Sequence, residues 1–139
     1  MTNERLFLDT VYVQALLSKS DQHHAIARRL LRRVQDAEEV WLTEAILTEI
    51  ANALSGINRA LAAAFVRQCY APGNVRVVPV DTPLLLRGLV LYEARPDKTW
   101  SLTDCISFVV MQENNLTEAV TADHHFQQAG FRALMREQF

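Results

Sequence analysis

Short apolar runs alternate with longer stretches of helical spacing along the whole chain. The apolar runs predict four to five short strands, at residues 6–8, 40–42, 75–80, 117–121 and 131–134. The stretches between them predict helices at about 10–17, 21–34, 43–54, 58–70, 82–94, 101–115 and 123–129. Since strands and helices alternate without hairpin turns, the pattern predicts an α/β fold, a three-layer α/β/α sandwich around a short parallel sheet.

Polar residues with capping side chains mark the starts of several helices. We expect N-caps at Ser20 or Asp21, Thr43, Asn58 and Asp81. The inner face of the third helix is expected to carry Ile46, Leu47, Ile50, Ala53 and Leu54. In parallel sheets, ligands bind outside the carboxyl ends of the strands, so polar residues that follow a strand are the first candidates for a functional site.

The composition is that of a globular protein. The 139 residues suit one domain, residues 1–139, and a chain with 50% apolar and 22% charged residues is neither disordered nor of low complexity. No apolar run approaches the roughly 18–20 residues of a membrane helix, and the polar start indicates no signal peptide, so we expect a soluble cytoplasmic protein without membrane association. Cys69 and Cys105 are too few for a disulfide framework or a zinc site.

The charge balance permits contact with nucleic acid without demonstrating it. Sixteen acidic and fourteen basic residues give a net charge of −2, and twelve of the basic residues are arginine, which pairs with phosphate through two parallel hydrogen bonds. Four arginines lie within residues 28–33. They form either a solvated helix face or a contact for phosphate or an acidic partner, and the sequence leaves both open.

Several common sites are absent from the sequence. With four glycines, the chain contains neither a dinucleotide-binding fingerprint nor a phosphate-binding P-loop. An aspartyl-phosphate enzyme would have a second aspartate two residues after Asp9, where this chain has Val11. The pairs His23-His24 and His124-His125 are adjacent in sequence, and neighbouring residues on a helix face different ways, so we expect neither pair to chelate one metal ion.

Four acidic residues remain as candidates for chemistry. Asp9 and Asp123 follow strands, Asp104 lies in the first turn of a helix, and Glu49 lies on the shoulder of the inner face of the third helix. Asp9 and Asp123 are equally well explained as N-caps, and Asp104 as part of a capping box with Ser101. Glu49 caps nothing, so we expect a metal ion or an arginine as its partner. Together, four carboxylates would suit a hard cation such as Mg²⁺ or Mn²⁺.

Four segments resemble the signature motifs of PIN domains, in the order of that family: FLDT (7–10), LTEIANAL (47–54), SLTDCIS (101–107) and TADHHFQQAGF (121–131). The resemblance spans almost the whole chain and is strongest to bacterial VapC-type toxins and their stand-alone relatives. It implies a parallel sheet between helices and acidic residues that hold Mg²⁺ or Mn²⁺ for RNA cleavage. By position, the metal and catalytic carboxylates are Asp9, Glu49, Asp104 and Asp123, and Thr121 supports the site by hydrogen bonding.

The resemblance therefore predicts a metal-dependent ribonuclease, the toxin of a type II toxin–antitoxin pair. Asp9 and Asp104 are expected as direct metal ligands, while Glu49 and Asp123 complete the shell or orient the attacking water. The implied partners are an RNA substrate, an antitoxin protein and a second copy of the chain. Two alternatives stay open: a stand-alone PIN nuclease in RNA processing or on structured DNA, and a non-catalytic binding module. The substrate-binding residues are not assigned.

Overall fold

A parallel sheet of five strands forms the centre of residues 2–137, the part of the chain that the computed structural model describes. The strands are β1 Arg5–Leu8, β2 Glu39–Thr43, β3 Val75–Val78, β4 Glu118–Val120 and β5 Arg132–Ala133. The helices are α1 Thr10–Leu17, α2 His24–Asp36, α3 Glu44–Leu54, α4 Arg59–Cys69, α5 Thr82–Ala94, α6 Leu102–Glu113 and α7 His124–Gln128, followed by a 3-10 turn at Leu134–Arg136. This arrangement confirms the predicted α/β/α fold.

The order of the strands brings β1 and β4 together in the middle of the sheet. The order is β3-β2-β1-β4-β5 and every neighbouring pair is parallel. The chain therefore starts at the centre, adds two strands on one side and then two on the other. In such sheets a crevice opens at the carboxyl ends of the strands where the direction of winding reverses, which here lies between β1 and β4.

The two central strands, β1 and β4, are buried in the core and therefore carry few polar residues. Leu6 and Phe7 of β1 and Ala119 and Val120 of β4 are fully buried, as expected for strands with helices on both faces. Phe108 of α6 packs edge-on against aromatic rings on both sides, those of Trp100 and Phe126, with ring centres 5.0 Å away in each case. These contacts hold α6 and α7 together, and with them the two helix starts that carry Asp104 and Asp123.

Several local predictions were confirmed and others were wrong. Thr43, Asn58 and Asp81 cap their helices as predicted, and β3 lies at an edge of the sheet. However, α2 begins at His24, because the Asp21 carboxylate accepts a hydrogen bond from the His23 backbone N–H (2.8 Å) and forms a turn before the helix.

Two other differences concern the exposure of α3 and the length of a strand. Ala53, which was expected on the inner face of α3, is exposed, because the buried stripe of that helix consists of Ile46, Leu47, Ile50 and Leu54. The third strand ends at Val78, two residues earlier than predicted. No helix within residues 2–137 is both long and apolar enough to cross a bilayer.

Candidate functional site

Polar side chains meet where β1 and β4 end. Asp9 follows the last residue of β1, and Thr121 follows the last residue of β4. The register pairs Leu8 with Val120, so Asp9 and Thr121 leave the sheet side by side. The crevice at the switch point of the sheet is therefore lined by residues that lie 112 positions apart in the sequence.

Asp9 is a buried carboxylate that does not cap its helix. It occupies the N-cap position of α1 without a side-chain capping bond, so the capping alternative for this residue is wrong. Only 5% of the residue is exposed, and its Oδ2 accepts a hydrogen bond from the Thr121 hydroxyl at 2.8 Å. The Thr121 Oγ1 in turn accepts the backbone N–H of Asp123 at 3.0 Å. Thr121 thus links the carboxylate of Asp9 to the backbone of Asp123.

Asp104 makes the capping box that its sequence position suggested. The Ser101 hydroxyl accepts the Asp104 N–H at 3.0 Å, and Asp104 Oδ2 accepts the Ser101 N–H at 3.2 Å. The same Oδ2 lies 3.0 Å from Nδ1 of His125. Asp104 Oδ1 accepts no hydrogen bond from any residue between 2 and 137, so one oxygen of this largely buried carboxylate stays free for a ligand.

His125 lies between two carboxylates. Asp123 caps α7 by accepting the His125 backbone N–H at 2.9 Å, and its Oδ1 is also 3.3 Å from His125 Nδ1. Since Nδ1 is 3.0 Å from Asp104 as well, the imidazole joins the starts of α6 and α7. Its Nε2 lies 3.1 Å from the Thr99 hydroxyl. Sequence reasoning did not assign this role, although the position two residues after a strand-end aspartate was a usable signal.

Glu49 reaches the site from α3 with an unexpected partner. Its Oε1 accepts the Thr10 hydroxyl at 2.7 Å, so the residue that follows Asp9 is the partner, rather than an arginine. No hydrogen bond in the described residues joins Glu49 to the three aspartates. The structure therefore links Asp9, Asp104 and Asp123 through Thr121 and His125, and places Glu49 beside the start of α1.

Burial and neighbouring charges raise the pKa values of Asp9 and Asp104. Burial, followed by the charges of Asp104 and Asp123, raises the pKa of Asp9 from its ordinary value of 3.8 to about 7, against the lowering effect of the Thr121 hydrogen bond. Burial and the nearby Asp123 charge also raise the pKa of Asp104. Clustered oxygen ligands that resist ionisation are stabilised by a hard divalent cation, so these residues fit Mg²⁺ or Mn²⁺.

The side chains of His124 and His125 lie closer together than predicted. Asp123, His124 and His125 each offer a ligand atom, and these atoms lie within 4.8 Å of one another. The two imidazole rings, with centres 4.6 Å apart, thus do converge, contrary to the prediction from helix geometry. At the first turn of so short a helix, side-chain rotation brings neighbouring residues together.

The other candidates from the sequence have structural partners. Arg32 pairs with Asp36, and Arg33 pairs with Glu4, whereas Arg28 and Arg29 of the same stretch are exposed and make no ion pair in residues 2–137. Burial raises the pKa values of the Cys69 and Cys105 thiols to about 11, so both stay protonated and neither is a thiolate nucleophile. The two cysteines are free.

The comparisons with known proteins agree with the fold described above. The model of the PIN domain family matches residues 6–132. The structure of VapC20 from Mycobacterium tuberculosis, described as a sarcin-ricin loop cleaving toxin, is similar over 91% of this chain and 95% of its own, with 25% identity and a TM-score of 0.81. FitAcB from Neisseria gonorrhoeae is 15% identical, with a TM-score of 0.58 over 92% and 94% of the chains, and shares the fold. No curated protein sequence matches significantly.

Proposed function

The chain belongs to the PIN domain family, and from this premise we propose that it is a metal-dependent endoribonuclease, the toxin component of a type II toxin–antitoxin pair. The observation that carries the proposal is the continuous set of contacts from Asp9 through Thr121, Asp123 and His125 to Asp104. The likeness to VapC20, a toxin that cleaves the sarcin-ricin loop, supports RNA as the substrate class.

We assign the binding of Mg²⁺ or Mn²⁺ to the four predicted carboxylates. Asp9 and Asp104 would hold the ion directly, while Glu49 and Asp123 would complete the shell or orient the attacking water. When bound, such an ion makes a coordinated water more acidic and stabilises the charge that develops on a phosphodiester during in-line hydrolysis. No serine, cysteine or histidine nucleophile is required.

The protein's own residues keep these carboxylates in place. The Thr121 hydroxyl fixes the rotamer of Asp9 by donating to Oδ2. Ser101 and His125 both contact Oδ2 of Asp104, which orients Oδ1 away from the helix start. Held by neighbouring donors, the carboxylates need little reorganisation to receive a cation or a substrate phosphate, which is the general advantage of a preorganised site.

A non-catalytic module is the second candidate, because Asp104 and Asp123 both cap helices. Capping alone would explain these two residues. It does not explain Asp9, which is buried without a capping bond, or Glu49, which lies in the second turn of α3. A carboxylate whose pKa is raised to about 7 by burial and by neighbouring charges is costly to a protein that uses it only structurally. We therefore favour the enzyme.

Two protein partners belong to the proposal, an antitoxin and a second copy of the chain. Leu86, Leu89 and Val90 of α5 are 52%, 36% and 66% exposed and lie on one side of the helix. An exposed apolar face of this kind favours a protein interface. Light scattering after size-exclusion chromatography, over a range of protein concentrations, measures whether the chain dimerises without an antitoxin.

Cleavage of a mixed RNA pool, with Mg²⁺ or Mn²⁺, tests the function. Asp104→Asn should reduce the rate by more than about 100-fold, beyond what loss of an outer-shell contact costs. The matched control is Asp81→Asn, since Asp81 also lies after a strand and caps a helix but lies outside the site. Equal rates for wild type and Asp104→Asn, or no cleavage by the wild type with either ion, would contradict the proposal.

The melting temperature of the same variant tests the electrostatic cost of the Asp104 charge. The asparagine side chain keeps an oxygen that can accept the Ser101 N–H, but it carries no charge to repel Asp123. Without metal, Asp104→Asn should therefore melt at a higher temperature than the wild type. Asp104→Ala also removes the capping oxygen, so it should lose about 0.5–2 kcal/mol relative to Asp104→Asn.

A further inference from the structure

A cavity of about 450 Å³ lies beside the carboxylates, between the end of α5 and the start of α6. Its size is within the roughly 300–1,000 Å³ of cavities that hold small molecules. The residues that carry its chemistry are Tyr92, Glu93, Arg95, Lys98, Thr99 and Trp100. We name it the Lys98 cleft.

The Lys98 cleft adjoins the candidate site through two of its lining residues, Thr99 and Cys105. Its lining residue Thr99 has its hydroxyl 3.1 Å from Nε2 of His125, and the opposite ring nitrogen of His125 is 3.0 Å from Asp104. Cys105, the residue after Asp104, also lines the cleft. The lining residue Thr99 therefore contacts the same imidazole ring that contacts the Asp104 carboxylate.

We propose that the Lys98 cleft binds the nucleotide next to the scissile phosphodiester of a single-stranded RNA. In this arrangement Lys98 contacts a phosphate and the ring of Tyr92 stacks against a base. The inference rests on the proposed ribonuclease function and assigns substrate-binding residues to it.

On one wall of the cleft, the polar groups of Arg95 and Trp100 already have hydrogen-bond partners. The Arg95 guanidinium donates two hydrogen bonds to Asp97, each of 3.0 Å, and lies 5.0 Å from the centre of the Trp100 ring. Trp100 is buried, and its indole N–H donates to Gln128 at 2.9 Å. Because the charge of Arg95 is neutralised by Asp97, this arginine shapes the wall and is not the phosphate ligand.

Lys98 is the less tightly paired of the two cations that line the cleft, since its ion pair with Asp97 is 3.9 Å long and that of Arg95 is 3.0 Å. Its ammonium makes no hydrogen bond within residues 2–137, and the carboxylate nearest to it, that of Asp97, is 3.9 Å away and already accepts from Arg95. The Lys98 side chain is only 26% exposed. A partly desolvated ammonium attracts a phosphate more strongly than one on an open surface, because the surrounding medium screens less.

The exposed Tyr92 ring favours a single-stranded RNA over a duplex. Tyr92 is 48% exposed, and its hydroxyl makes no hydrogen bond in the described part of the chain, so its ring can stack on a base. Glu93 also lines the cleft, and its carboxylate disfavours a run of phosphates. One phosphate with an unstacked base fits these groups better than a duplex, whose bases are paired and stacked.

Binding of a fluorescent single-stranded RNA, followed by anisotropy with Mg²⁺ and in EDTA, tests the cleft independently of cleavage. Lys98→Gln should weaken binding and lower the slope of log Kd against log salt by about 1. The matched control is Lys19→Gln, because Lys19 is the other lysine of the chain and follows the far end of α1 from Asp9. Tyr92→Leu should weaken binding by roughly 5- to 150-fold, the range for loss of a stacked base, and Tyr92→Phe should not.

Cleavage rates on the same RNA distinguish failure of the cleft proposal from failure of the ribonuclease proposal. For an active wild type, Lys98→Gln and Tyr92→Leu should raise KM with kcat within about twofold, as for loss of uniform binding. Binding and KM unchanged in both variants would overturn the cleft and leave the ribonuclease proposal intact. Binding that depends on Lys98, from a wild type that does not cleave, would overturn the ribonuclease proposal while keeping the cleft as an RNA site. Equal binding of a matched DNA strand would overturn the restriction to RNA.

Discussion

Replacement of Asp9 by asparagine should stabilise the metal-free protein at neutral and alkaline pH. The Asp9 carboxylate is buried near two other carboxylates, and its pKa lies at about 7 in the folded protein against 3.8 ordinarily. Folding therefore disfavours the charged form. Asparagine keeps an oxygen that can accept the Thr121 hydroxyl but carries no charge.

The magnitude follows from this pKa. A shift from 3.8 to about 7 corresponds to about 4 kcal/mol of lost stability once the group is fully ionised, at about 1.4 kcal/mol per unit. The amide N–H₂ that replaces one oxygen costs about 1–3 kcal/mol if it finds no partner. The net gain for Asp9→Asn is thus about 1–3 kcal/mol at pH 8.

The pH dependence of the stability separates the effect of the lost Asp9 charge from the effect of the new amide group. Because the folded-state pKa is raised, the wild type binds more protons folded than unfolded between about pH 4 and 7, and its stability falls as the pH rises through that window. The cost of the amide does not change with pH. The stability advantage of Asp9→Asn should therefore be about 2.5 kcal/mol larger at pH 8 than at pH 5.

Urea denaturation in EDTA at pH 5 and pH 8 measures this difference. The matched control is Asp81→Asn, an exposed helix-capping aspartate, whose effect should stay within about 0.5 kcal/mol at both pH values. An Asp9→Asn advantage that is the same at pH 5 and pH 8 would refute the electrostatic reasoning, whatever its absolute size.

Two further predictions concern metal binding and helix packing. Titration with Mn²⁺ should raise the melting temperature of the wild type by mass action, and Asp9→Ala should blunt this shift; an unchanged response would remove Asp9 from the ligand set. Gly88→Ala should lower the stability by about 1–3 kcal/mol, because its Cβ would lie 2.6 Å from Cγ1 of buried Ile106 on α6. The control is Gly56→Ala, whose Cβ would meet nothing within 4 Å, and equal stability of both variants would contradict this account of the α5–α6 contact.

Local patterns predicted the elements because their causes are local. The capping side chains of Asn58 and Asp81 satisfy backbone N–H groups three residues away, so the helix starts could be identified without the fold. Asp21 was misassigned because its carboxylate satisfies either a helix or the turn that precedes one, and packing decides between them. Ala53 was misassigned because alanine is tolerated on either face of a helix.

The sequence by itself determined the alternation of strands and helices, the capping box at Asp104 and the positions of the acidic residues. Only the tertiary structure decided which of these residues meet. Asp9 and Thr121 are 112 positions apart and bond because β1 and β4 are neighbours in the sheet. That adjacency also buries Asp9, while the packing of α6 against α7 through Phe108 and Phe126 brings His125 to Asp104. Burial and charge repulsion depend on distances in space, and the spacing of residues along the chain does not give those distances.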